Sequence, residues 1–210
     1  MPKRSKIFWT SYADLMTSMF FIMLVLFVLA IAMMKKKAKA NDDQIKKIEN
    51  IENAVKNLDK RYFNYNEESK RYKLNVDVKF RSNSYDINDV DKMSRIDLIK
   101  AGNIILHKMR ELTSENPDVN YLLIVEGNAQ KSGQNYKVLA DVGYVLSYRR
   151  SLSLVNLWKN ERINFDSFKN CELLIVGSGY FGKSRNNIKE AENRKFTIQI
   201  TPKISLNKDE

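Results

Sequence analysis

The chain has 210 residues, room for one membrane anchor and one domain of ordinary size. Its formal net charge of +11 is spread along the chain, with neither a basic stripe nor a nucleic-acid-binding module, so nucleic acid is not an expected partner. Cys171 stands alone, which excludes an intrachain disulfide; with no metal-ligand cluster, phosphate loop or nucleophile motif, neither enzyme activity nor a cofactor is expected.

Residues 1–7 are a basic start with Lys3, Arg4 and Lys6, and residues 8–34 are the one stretch able to cross a membrane. Within it, 15–34 is a charge-free run of about twenty residues rich in Leu, Ile, Val, Phe and Met, the length a spanning helix needs. Extended back to Phe8 the helix has 27 residues, roughly 40 Å at 1.5 Å per residue. That exceeds a hydrocarbon core of roughly 30 Å, so tilt or a protruding end must absorb the excess. Asp14 is its only charge. A carboxylate in hydrocarbon costs about 3 kcal/mol unless it faces a protein interior or a water path, which makes Asp14 a candidate functional residue. Thr10, Ser11, Thr17 and Ser18 lie three or four residues from it and share its helix face, a polar stripe suited to a partner helix or a hydrated path. Trp9 and Tyr12 suit the headgroup level. Two other readings stay open: a bilayer aligned on 15–34 leaves Asp14 at the interface, and Ala30-Ile31-Ala32 imitates a signal-peptide cleavage site, although the apolar run exceeds the usual length of about 7–15. Lys35, Lys36, Lys37 and Lys39 offset the basic start, so loop charge does not decide orientation.

Residues 35–71 are predicted to form a helical linker. Over 41–66, Ile48, Ile51, Val55, Leu58, Tyr62 and Tyr65 alternate spacings of three and four, the seam of a coiled coil. A dimeric stalk and a single amphipathic helix lying on its own domain both fit this pattern.

From residue 72 strands alternate with helices. Lys73 to Phe80 has a period of two and predicts a half-buried strand; 95–112 predicts a helix; Tyr121 to Val125 a short buried strand; 138–160 a second helix. Leu173 to Val176 is a further strand followed by a loop marked by Gly177, Gly179 and Gly182, and Phe196 to Ile200 closes with strict alternation. The order β-α-β-α-β-β predicts a two-layer α/β domain over 72–203, a mixed sheet with helices on one face, followed by a tail at 204–210. Cys171 and His107 are expected to have packing or surface roles.

Ser11-Tyr12-Ala13-Asp14-Leu15-Met16-Thr17, within Trp9 to Phe21, resembles the transmembrane helix of MotB-type stator subunits, and looks most like that of the B subunits of Zorya anti-phage defence systems. The C-terminal region resembles the OmpA-like peptidoglycan-binding domain in four places: Val125-Glu126-Gly127-Asn128-Ala129-Gln130, Leu146-Ser147-Tyr148-Arg149-Arg150-Ser151, Val176-Gly177-Ser178-Gly179 and Glu192-Asn193-Arg194-Lys195.

The resemblance implies a single-pass protein of the bacterial inner membrane, with its N-terminus cytoplasmic and its domain periplasmic. It further implies a dimer of this chain inside a pentameric ring of polytopic MotA- or ZorA-like subunits. Asp14 would carry the permeating ion, a proton in preference to sodium, with Thr10, Ser11, Thr17 and Ser18 along the ion path. A carboxyl walled by low dielectric and left unpaired favours its neutral form, so it can take up and release a proton. One charge crossing 100 mV yields about 2.3 kcal/mol. Peptidoglycan would meet Gly127, Asn128, Gln130, Arg150, Asn193 and Arg194. Arg150 falls where the family binds a carboxylate, but Gln130 replaces the aspartate that pairs with the diaminopimelate ammonium. Gly143 replaces an asparagine, and the segment between Gln130 and Leu146 is longer than usual. A flagellar stator and a passive wall anchor without ion conduction are the alternatives.

Overall fold

The structure is a computed structural model that describes residues 3–56, 58–131, 140–182, 185–186 and 188–203. The side chains of Thr10 and Val55, the segment 132–139 that lengthens the Gln130–Leu146 connection, and the tail 204–210 lie outside the described residues. Two compact units divide between Asn50 and Ile51.

The first unit is helical. Helix α1 runs Lys3–Lys56. No Gly or Pro occurs along it, so nothing interrupts the i→i−4 ladder. Its apolar stretch is the one helix among the described residues long and apolar enough to cross a membrane. Leu15, Phe20, Phe21, Leu24, Phe27 and Val28 are all exposed on the single chain, apolar surface of the kind that lipid or a partner helix covers.

The seam predicted over 41–66 is corrected at its C-terminal end, because α1 stops at Lys56. Asp59 Oδ1 accepts from the backbone N–H of Arg61 at 2.9 Å, and Asp59 O accepts from Tyr62 and Phe63, turning the chain. Strand β1, Phe63–Asn66, then pairs antiparallel with β2, Arg71–Leu74. The turn between them is closed by Ser69 N–H donating to Asn66 Oδ1, with Lys70 in the left-handed region at φ 54°. Tyr62 and Tyr65 therefore lie outside the helix, and the sheet takes in residues N-terminal to position 72. The predicted strand 73–80 is also shorter as a ladder. β2 pairs with β5 through Tyr72–Ile198 and Lys73–Thr197, and β5 begins at Phe196, so among the described residues no strand lies alongside residues 75–80. Val76, Val78 and Phe80 nevertheless keep the period-two burial.

Helix α2, Lys92–Glu115, starts at Asp91, whose side chain accepts from Ser94 N–H, and buries Leu98, Ala101, Ile105, Met109 and Leu112. Strand β3, Asn120–Gly127, follows; helix α3, Ala140–Asn160, carries the chain over to the edge strand β4, Cys171–Gly177, parallel to β3. Strand β5, Phe196–Lys203, inserts antiparallel between β2 and β3, giving the order β1-β2-β5-β3-β4. The core lies between this mixed sheet and its helices: Tyr121, Leu123 and Val125 of β3 and Phe196 and Ile198 of β5 meet Leu98, Ile105, Leu154 and Trp158. Trp158 Nε1–H donates to Leu98 O at 2.9 Å, and Gly102 leaves room for the indole. The fold class is the predicted one, with one further hairpin strand at its start.

Candidate functional site

On α1, Asp14 is exposed, as are Ser11, Thr17 and Ser18. Thr17 Oγ1 donates to Ala13 O at 2.7 Å and Ser18 Oγ donates to Leu15 O at 2.9 Å. Both hydroxyl protons are thus spent on the helix's own carbonyls. What these oxygens offer a neighbour is lone pairs, which accept from a protonated carboxyl or coordinate a cation.

In the second unit the site is built where α3 abuts the ends of β3 and β4. A Cβ on Gly127 would lie 2.1 Å from Ser147 O, and one on Gly177 would lie 2.4 Å from Tyr148 N, so helix and strands touch backbone to backbone. Ser151 Oγ donates to Val176 O at 2.9 Å, and Ser147 Oγ accepts from Gly179 N–H at 2.9 Å. These fully buried serines fix the helix turn that presents Arg150.

Arg150 is 5% exposed. Its Nε–H donates to Ser84 O at 3.0 Å and its guanidinium lies 4.8 Å from the centre of the Phe80 ring. Burial, and then the charge of Arg194, lower its pKa to about 10. Among the described residues no carboxylate pairs with it. Val78, Phe80, Asn128, Arg150, Arg194, Lys195 and Phe196 line a cleft too tight to admit a water-sized molecule. A buried guanidinium without an acid is an anion receptor, and its fork fits a carboxylate.

The cleft thus gathers Asn128, Arg150 and Arg194; Gly127, Gln130 and Asn193 do not line it. Asn128 accepts from Ser178 Oγ at 2.8 Å, and its backbone N–H donates to Lys195 O at 3.2 Å. Asn193 is fully buried: its Oδ1 accepts from Asn186 N–H and its Nδ2 donates to Asn186 O, so its amide fastens the 186–193 loop. Gln130 Oε1 is buried without a hydrogen-bond partner, an acceptor open to a donor. Gly143 packs against the Tyr180 ring, where a Cβ would come within 2.5 Å, so the ring occupies the place of a longer side chain. Phe80 and Ser84 escaped the sequence reading; only the period-two pattern ending at Phe80 hinted that this segment turns a side chain inward.

No family model matches the sequence, and no curated protein matches it. Among solved structures, similarity is found to an outer membrane protein of Borrelia burgdorferi, with 18% identity over 66% of this chain and 95% of that one and a TM-score of 0.40. The C-terminal domain of Helicobacter pylori MotB is similar at 10% identity, 62% and 88% coverage and a TM-score of 0.43. A putative MotB-like protein from Desulfovibrio vulgaris is similar at 12% identity, 79% and 95% coverage and a TM-score of 0.40.

Proposed function

We propose that this chain is the wall-anchoring B subunit of an ion-driven rotary stator of the MotB type, serving anti-phage defence. Asp14 carries the ion, a proton, across the inner membrane, and the sheet domain holds peptidoglycan through Arg150. The observation that carries the anchoring role is the buried Arg150 guanidinium, without an acid beside it among the described residues, at the position where OmpA-like domains bind a peptide carboxylate. Arg194, exposed at the rim of the same cleft, supplies a second cation, and opening the cleft requires its side chain or the Phe80 ring to move. Gln130 offers a neutral acceptor in place of an aspartate, so the ligand ammonium is held by a hydrogen bond rather than an ion pair.

The motor role is supported by Asp14 as the single charge in the apolar segment 8–34, beside exposed hydroxyls whose protons are given to the helix's own carbonyls. Polytopic MotA- or ZorA-like subunits would cover the exposed apolar face, with the chain itself as a dimer at their centre.

Two measurements test this. Purification in mild detergent with mass determination is expected to recover a larger multi-spanning partner, and Asp14→Asn is expected to abolish proton flux through the intact complex. If the chain purifies without such a partner and Asp14→Asn changes nothing, the passive anchor replaces the motor. A sacculus pull-down comparing the native chain with Arg150→Ala tests the anchor, and equal retention removes Arg150 from the role.

A further inference from the structure

Beyond the Arg150 cleft, the segment that carries Phe80 runs on along α3 and forms a second site with it. Residues 82–88 and the C-terminal half of α3 border an open groove of about 990 Å³. Two neighbouring arginines divide the sites between them. The Arg150 guanidinium lies 4.8 Å from the centre of the Phe80 ring, in the cleft, and the Arg149 guanidinium lies 4.9 Å from the centre of the Tyr85 ring, in the groove. Ser84 is the wall they share: it lines the groove, and its carbonyl accepts from Arg150 Nε–H.

The groove is shaped before any ligand enters. Ser84 Oγ accepts from Asp86 N–H at 3.1 Å, and Asp86 Oδ1 accepts from the backbone N–H of Asn88 at 2.9 Å. Arg95 Nη1 donates to Asn88 Oδ1 at 2.8 Å, which ties the loop to α2. A loop held in this way has little conformational freedom left to lose on binding.

The lining selects an uncharged polar ligand. Among the described residues it carries two guanidinium groups, Arg95 and Arg149, and two carboxylates, Asp86 and Glu161, so its formal charges balance. Such a lining favours neither a compact anion nor a compact cation. Ile87, Leu152 and Leu157 supply apolar surface, and Asn156 and Asn160 continue the helix face of Leu152 at intervals of four, with exposed amides. Tyr85 adds an aromatic ring that is 44% exposed and steadied by the Arg149 stack. A sugar offers the matching surface. Its C–H faces pack on an aromatic ring and on apolar side chains, while its hydroxyl and acetamido groups exchange hydrogen bonds with amides and guanidinium groups.

We propose that this groove binds the glycan of the cell wall, a strand of N-acetylated amino sugars, with Tyr85 as the stacking platform and Arg149, Asn156 and Asn160 as hydrogen-bonding groups. The inference rests on the wall-anchoring reading and extends it from the peptide at Arg150 to the sugar strand that bears the peptide. Because Ser84 bounds both sites, one wall fragment can occupy them together.

The test is calorimetric titration of the full chain, in a detergent without a sugar headgroup, with two separate probes. One is a peptide-free tetrasaccharide from amidase-treated sacculi; the other is the free tetrapeptide containing diaminopimelate. Saturable binding of the tetrasaccharide is expected, weakened about tenfold by Tyr85→Ala and retained by Tyr85→Phe, which keeps the ring. The exposed position of Tyr85 lets both variants fold, and tetrapeptide binding should be the same in both as in the native chain. Tetrasaccharide binding without tetrapeptide binding supports the groove and removes the Arg150 reading. Absence of saturable tetrasaccharide binding overturns the proposal. So does tetrasaccharide binding that Tyr85→Ala leaves intact, or that Tyr85→Phe loses equally. Tetrapeptide binding abolished by Tyr85→Ala assigns the groove to the peptide and overturns the proposal as well.

Discussion

Gly127 and Gly177 are partners on one rung of the parallel β3–β4 pair, and helix α3 rests on both. The contact at Gly127 is with a backbone carbonyl, which cannot swing aside as a side chain can. Gly127→Ala is therefore expected to destabilise the fold by about 2–3 kcal/mol through overpacking, read as a lower urea midpoint of the full chain in detergent. Because the same contact sets the turn bearing Arg150, sacculus retention should fall with it. A midpoint unchanged from the native chain would mean that α3 does not sit against the strand ends.

Arg71 and Glu126 form an ion pair on the far face of the sheet with a nearly buried carboxylate. Removing the cation takes away one of that carboxylate's donors and leaves it the Thr197 hydroxyl. Arg71→Met is expected to cost about 2–3 kcal/mol, below the usual figure for a fully buried pair because Arg71 retains some exposure. Adding Glu126→Gln should recover most of the loss, since the amide no longer needs a cation. A double variant as unstable as the single one would assign the loss to packing of the arginine stem instead.

The parts legible in the sequence are those set by local pattern. An uninterrupted apolar helix, an alternating strand at Phe196 and a 3.6-residue stripe ending at Leu112 each report their burial through spacing alone. Within that stripe Leu98, Ala101 and Ile105 form the buried line, while Ile99, Ile104 and Leu106 flank it. The β1 hairpin was not legible, because Tyr62 and Tyr65 satisfy a heptad seam as readily as the ends of an aromatic strand. What resolves it is the turn at Asp59 and the partner Tyr72, whose ring lies 4.8 Å from Tyr65. Resemblance singles out Arg150, but its setting was not legible. Ser84 and Phe80 reach it from 66 and 70 residues upstream, and no local pattern encodes such a meeting.

Cys171 tests the burial of the β4 start. Burial is the main reason its thiol pKa rises from 9.0 to about 11. Alkylation by iodoacetamide near pH 8 is expected to run roughly a hundredfold slower than for an exposed thiol, and to speed up toward pH 11. The linkage has a definite sign. The folded chain keeps this proton longer than the unfolded chain does, so its contribution to stability is present below pH 9 and is lost as pH rises to about 11. Rapid alkylation of the folded chain at pH 8 would contradict the packing of this strand.

Arg150 is the residue at which binding and stability should part. Burial and the neighbouring charge of Arg194 hold its pKa at about 10, so below that pH the folded chain carries a cation in a disfavoured state. A depressed base weakens the fold while charged, and stability should rise as pH climbs above about 10. An apolar side chain of similar length removes that burden at every pH. Arg150→Met is accordingly expected to leave stability unchanged or to raise it by up to about 2 kcal/mol, even though the hydrogen bond to Ser84 O is lost. Retention on sacculi should fall at the same time, the pattern of a residue kept for its ligand at the expense of the fold. Thermal melts and pull-downs on the same preparation separate the outcomes. A marked drop in melting temperature would make Arg150 a packing residue, with the Phe80 ring and the Ser84 carbonyl as its reason for being there.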